Sequence, residues 1–191
     1  MKSLGFSILV AVILVLCAPS ALAAYPNSFG NPEYEWITNV NFSGIDQTTG
    51  AMGYGNYTNV SASVSINTSY NLSVTIHKFG HDYVTAWIDW NQDEDFNDTG
   101  EEFVVVADTE TDGPHIVPIA VPEGATIGTT RMRVSLKCSN APPSYGYFGF
   151  GEVEDYSVQV SGPAPPIPEL PTAALFSIGL LLLVGYVLRK K

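Results

Sequence analysis

Apolar and polar positions alternate along the middle of the chain with a period of two. In the stretch 70–76, Tyr70, Leu72, Val74 and Ile76 share one face, as the side chains of a half-buried strand do. In 130–138, Thr130, Met132, Val134, Leu136 and Cys138 take one face, and Arg131, Arg133, Ser135 and Lys137 take the other. Shorter runs predict further strands over 35–40, 60–66, 83–90, 102–107, 115–121 and 152–160. Clusters of Gly, Pro, Asn and Asp separate these runs at the spacing of a sandwich. No helical apolar period occurs between the two terminal segments. The pattern predicts an all-β domain over 24–160, an antiparallel β-sandwich of jelly-roll or immunoglobulin-like type. Cys138, on the apolar face, reads as a small buried hydrophobe.

The last strand breaks its own pattern. Tyr156, Val158 and Val160 form an apolar face, and the same face continues backwards through Glu154 to Glu152. A core face that ends in two carboxylates must meet a cation there or bend away. Arg131, Arg133 or a metal ion would supply the charge.

The ends of the chain differ from the middle. Lys2, an apolar run from Ile8 to Leu16 and the closing Ala21-Leu22-Ala23 read as a signal peptide over 1–23. Cys17 follows Leu16, where a lipoprotein signal wants a small residue. At the other end, 161–172 is a proline-rich linker, stiff and unable to join a sheet. Residues 173–188 are apolar and uncharged, and read as a transmembrane helix with a basic cytoplasmic tail at 189–191. The domain between is therefore expected outside the cell, anchored to its surface.

Charge and cysteine count narrow its partners. Residues 24–168 hold 18 acidic and four basic residues, a net charge of 4 − 18 = −14. Such a surface repels nucleic acid and attracts cations. Cys138 is the only cysteine past the signal segment, so no intramolecular disulfide is expected. Six sequons, at Asn41, Asn56, Asn59, Asn67, Asn71 and Asn97, suit an exported glycoprotein.

The acidic residues concentrate in "DWNQDEDFNDTGEE", 89–102, with seven carboxylates in fourteen positions. Asp89, Asn91, Asp93 and Asp95 stand at alternate positions, followed by Asp98, Glu101 and Glu102. Hard oxygen donors in a curling loop, with no His or Cys among them, suit Ca²⁺. The expected ligand set is these seven residues with Glu154, brought close by the last strand. The loop is not an EF-hand: its sixth position is Glu94 where that motif has glycine, and no helices flank it. A solvated acidic turn is the alternative, opposed by the mutual repulsion of its charges.

"AWIDWNQDEDFNDTGEEF", "GTTRMRVSLKC" and above all "GEVEDYSVQV" resemble the GEVED domain, an extracellular β-sandwich module, over roughly 33–160. Its usual Asp-Gly-Asp is Asp93-Glu94-Asp95 here. The resemblance implies a non-catalytic accessory or adhesive module. The C-terminal "PIPELPTAALFSIGLLLLVGYVLRKK" looks like a PEF-CTERM sorting signal of methanogenic archaea, with Leu170 in place of Phe. That resemblance implies a span retained as anchor, or removed by an archaeosortase in exchange for a lipid anchor. No nucleophile elbow, zincin motif or phosphate-cradling loop is present, so catalysis is not expected. Two functions stand: a calcium-stabilised module of envelope structure or adhesion, and a carbohydrate-binding module. For the second, the loop "SYGYFGFG" offers Tyr145, Tyr147, Phe148 and Phe150 to stack on sugar rings; alternatively these aromatics plug the end of the sandwich.

Overall fold

The computed structural model describes residues 24–163, and among them every regular element is a strand. The leader 1–23, the linker beyond 163, the span 173–188 and the tail 189–191 lie outside the described residues. The strands are β1 (Ser28–Phe29), β2 (Trp36–Phe42), β3 (Ile45–Thr48), β4 (Tyr54–Ser65), β5 (Ser69–His77) and β6 (Asp82–Ile88). They continue with β7 (Glu102–Thr109), β8 (His115–Ala120), β9 (Gly128–Cys138), β10 (Gly146–Tyr147) and β11 (Gly151–Ser161).

One sheet has the order β4-β11-β9-β6-β7 and the other β3-β2-β5-β8. Their inner faces share one core. Ile37, Val40, Leu72, Val74 and Ile76 come from the smaller sheet, and Val84, Ala86, Ile88, Met132, Val134, Leu136 and Val158 from the larger. Each of these side chains is withdrawn from water, and full burial of an aliphatic side chain stabilises by about 1.5–3 kcal/mol. The alternation that predicts β5 and β9 is the one that fills this core.

The sandwich is not wholly antiparallel. β11 pairs antiparallel with β9 but parallel with β4. The final strand enters the slot between two strands that run in opposite senses, so it must match one of them. β4 is also longer than expected, beginning at Tyr54 instead of residue 60. Its first half is recruited by pairing with Val153–Tyr156 and carries little apolar alternation of its own.

The larger sheet is covered on its outer face as well. Residues 25–30 and the loop 144–150 lie across it, joined by a parallel β1–β10 pairing. Trp87, Phe96, Phe148 and Val153 are buried outside the main core. Arg133 fastens this cover. It is buried on the outer face, forks onto Asp155 (Nε–Oδ1 2.7 Å, Nη2–Oδ2 2.8 Å), and donates from Nη1 to the carbonyls of Pro26 and Ser144. A planar guanidinium with five donors suits this bidentate ion pair and the two segments it ties down.

Candidate metal centre and aromatic face

The loop 89–101 leaves the end of β6, and its carboxylates divide into two groups. Asp89, Glu101 and their neighbours build the turn from the inside. Asp89 is fully buried: Oδ1 accepts from the Gln92 amide at 2.6 Å, and Oδ2 from the Glu94 amide at 3.1 Å and the Tyr25 hydroxyl at 2.6 Å. Both its oxygens are thus engaged by donors of the protein. Burial, then the hydrogen bond to the Asp89 carboxylate, push the Tyr25 phenol above its ordinary range. Glu101 is also buried and accepts the Trp90 amide at 2.8 Å, with burial raising its pKa. Glu102 opens β7 and is exposed, paired in register with Trp87.

Asp93, Asp95 and Asp98 form the outward group. One carboxylate oxygen of each lies within 4.8 Å of the others. Asp93 Oδ1 accepts the Asp95 amide at 3.2 Å, and Asp95 Oδ1 accepts the Asn97 amide at 2.8 Å. Two of the three carboxylates are so oriented by the backbone. The Asn91 side chain joins the cluster by donating Nδ2 to Asp93 Oδ2 at 3.0 Å and Asp98 Oδ2 at 2.7 Å. The turn that lets these groups converge places Glu94 at φ 72°. The left-handed conformation that glycine supplies at this position in the related motifs is taken here by a residue with a side chain.

Glu154 does not join the loop. It sits on the inner face of β11, in register with Val134, which pairs in turn with Ala86, three residues before Asp89. Its Oε2 accepts the Tyr156 hydroxyl at 2.8 Å. Burial, with the charge of Glu152 adding to it, pushes its pKa up to about 7, against the hydroxyls of Thr49 and Tyr156. Glu152 has donors of its own: its carboxylate receives the amides of Ile37 and Met52, both at 2.7 Å. The two arginines point to the other face. There the strand does reach the loop, through Asp155: Arg131 Nη1 lies 3.5 Å from Asp155 Oδ2 and its guanidinium 4.3 Å above the Tyr25 ring, which bonds Asp89.

The segment Gly151–Asp155 is therefore a structural joint in which each residue has its own task. Gly151 lies at φ 129°, and a Cβ there would collide with the Leu136 carbonyl. Glu152 binds amides of the facing sheet and of the approach to β4, Val153 is buried on the outer face, and Asp155 holds Arg133.

The aromatic loop divides too. Phe148 is a plug, 5 % exposed and packed where a side chain on Gly30 would stand. Tyr145, Tyr147 and Phe150 are exposed. Tyr147 leans on Phe29 with ring centroids 5.0 Å apart, and Phe150 on Tyr34 at 5.3 Å, which in turn meets Phe79 at 4.7 Å. These pairs form an aromatic face at the end of the sandwich opposite the acidic loop, since β6 and β11 run in the same sense, and the loop follows the one while the aromatics precede the other.

Sequence reasoning overlooked Tyr25, Phe29, Tyr34 and Phe79, which lie far along the chain from the residues they meet. It also left Glu35 unremarked, although that side chain is fully buried beside Asp82 and Cys138. An acidic residue between two aromatics, Tyr34 and Trp36, is the one hint the chain offers.

No curated protein matches the chain. Residues 83–159, which hold β6, the acidic loop, β9 and most of β11, match the family model described as the GEVED domain, which suggests a non-catalytic β-sandwich module.

Proposed function

We propose that this chain is a non-catalytic cell-surface module, stabilised by calcium and acting in envelope structure, adhesion or surface interaction. The observation that carries the calcium reading is the convergence of Asp93, Asp95 and Asp98 within 4.8 Å, two of them pre-oriented by backbone amides. Ca²⁺ takes six to eight oxygens, so Asn91, backbone carbonyls and water would complete its shell. The three carboxylates are the expected core of the site, with Asp89 and Glu101 shaping the loop beneath them. The histidines have local structural partners. His77 stacks on Trp36 at 3.9 Å, His81 pairs with Asp108 at 2.6 Å, and His115 meets the Thr111 carbonyl at 3.0 Å. This agrees with a module that binds and does not catalyse. Placement at the surface rests on the signal-like and anchor-like sequences of the two ends, retained as a span or exchanged for a lipid.

Melting the full chain with and without calcium tests the reading. Calcium at about a hundred times its dissociation constant would add about 2.7 kcal/mol, roughly 10 °C in melting temperature. Chelation should reverse the gain, and Asp93→Ala should abolish it. An unchanged melting temperature on chelation would end the calcium reading.

The exposed pairs Tyr147–Phe29 and Phe150–Tyr34 favour a second reading, a carbohydrate-binding module that stacks sugar rings on this face. Glycan-array binding that disappears in Tyr145→Ala and Tyr147→Ala would support it. Calcium-dependent self-association without sugar binding would instead support the structural role.

A further inference from the structure

We propose that Glu35, Asp82 and Cys138 form a divalent-cation site of the zinc class, separate from the acidic loop and independent of what that loop binds. Three segments bring the residues together. Glu35 immediately precedes β2 in the smaller sheet, Asp82 opens β6, and Cys138 closes β9. Asp82 and Cys138 are cross-strand partners in register, and the Ser139 amide bonds the His81 carbonyl at 2.7 Å to close this corner. One donor atom from each of the three residues lies within 4.8 Å of the other two. The acidic loop leaves the far end of β6, six residues from Asp82, or about 20 Å along an extended strand.

Three of the four carboxylate oxygens of this corner lack partners among the described residues, while the Cys138 thiol lies 3.3 Å from the Ser139 hydroxyl. Glu35 and Asp82 are fully buried, yet neither Glu35 oxygen nor Asp82 Oδ1 has a hydrogen-bond partner among the described residues. Asp82 Oδ2 accepts the Phe79 amide at 3.1 Å, which fixes the carboxylate and leaves Oδ1 aimed inward. Buried polar groups without partners are rare, and each calls for a specific explanation. A proton shared between the carboxylates is the simplest rival. The two readings separate in the titration below, since a shared proton gives no cobalt band. Burial and the neighbouring Asp82 push Glu35 up to about 7, and the Cys138 backbone amide offsets this only in part. The pair thus carries a cost that a cation would remove.

The donor set selects the class of ion. A thiolate beside two carboxylates suits Zn²⁺ and its neighbours, which bind sulfur, nitrogen and oxygen together. Ca²⁺ and Mg²⁺ take oxygen donors and have no use for the sulfur. Three protein ligands leave a further position for water. Cys138 is half-buried, so an ion can enter from its side. On binding, the thiol proton and any proton held by the carboxylates are released to solvent.

Cobalt(II), a spectroscopic stand-in for zinc, tests the assignment. The full chain carries Cys17→Ser, so that Cys138 is its sole thiol, and is stripped of metal before titration. One equivalent should produce a thiolate-to-cobalt charge-transfer band, displaced by zinc. Cys138→Ser should lose the band, while Glu35→Gln and Asp82→Asn should weaken binding by more than the roughly tenfold that loss of an outer partner costs. Asp93→Ala should leave the titration unchanged. Absence of the band in the parent chain overturns the proposal. So does a band that Glu35→Gln and Asp82→Asn leave at parental affinity, which would show a lone thiol binding cobalt. Should one carboxylate variant fail to fold, the other together with Cys138→Ser decides.

Discussion

Glu152, Glu154 and Asp155 are all fully buried within four residues, and each reconciles a carboxyl group with the interior in a different way. Glu152 receives two backbone amides, Asp155 an arginine, and Glu154 only a phenol, with its Oε1 left without a partner. Burial raises Glu154 from 4.5 to about 7, so between these values the folded state holds a proton that the unfolded chain has released. Stability from this group is therefore complete below pH 4.5 and falls as pH rises through about 7, by about 3 kcal/mol in all. Glu154→Gln, neutral at every pH, should flatten that part of the profile, and urea midpoints at pH 5 and pH 8 measure it. Glu94 is a second residue under local strain. Glu94→Gly would relieve a left-handed conformation that costs about 1–2 kcal/mol and add flexibility to the unfolded chain. The net expectation is a gain of about 0.5–1 kcal/mol, read as a higher urea midpoint.

At the scale of elements, the outer cover depends on one side chain. Arg133 joins β9 to β11 through Asp155 and holds the carbonyls of Pro26 and Ser144. Arg133→Met would leave the buried Asp155 with only the longer contact to Arg131 and the Tyr54 hydroxyl, a loss of about 3 kcal/mol, the low end for a broken buried pair. Adding Asp155→Leu should recover much of it in the denaturation midpoint. The single variant should also expose residues 24–30 to proteolysis before the domain unfolds. Gly151→Ala would press against the Leu136 carbonyl and disrupt the same joint, lowering the yield of folded protein.

Alternation of side chains made β5 and β9 readable in advance, because a half-buried strand must repeat every two residues. It carried no information on the sense of pairing, since parallel and antiparallel strands share that period. The parallel match of β11 with β4 therefore lay beyond it. The acidic loop was readable from its spacing, but its division into buried turn-formers and outward carboxylates was not. That division depends on Tyr25 and Trp90 as donors, one of them 64 residues away in sequence. Glu154 was expected at the loop because its face runs into carboxylates, and alternation could not tell that this face offers it the Tyr156 hydroxyl.

At the scale of the molecule, residues 24–168 carry fourteen net negative charges and already commit Arg131 and Arg133 to Asp155. The stability of the domain should therefore rise with monovalent salt even where calcium is absent, through screening of its own repulsion. Thermal melts in EDTA at rising NaCl would show this, and a flat response would contradict it. The direction of β11 has a further consequence. The strand leaves the sandwich at Ser161, the same pole from which the acidic loop springs, while the aromatic pairs and Cys138 occupy the other pole. On the proposed tether through the residues after Ser161, the carboxylates would stand toward the tether and the rings toward the surroundings. Cations held near the envelope would then meet the loop first, and whatever approaches from outside would meet Tyr147 and Phe150.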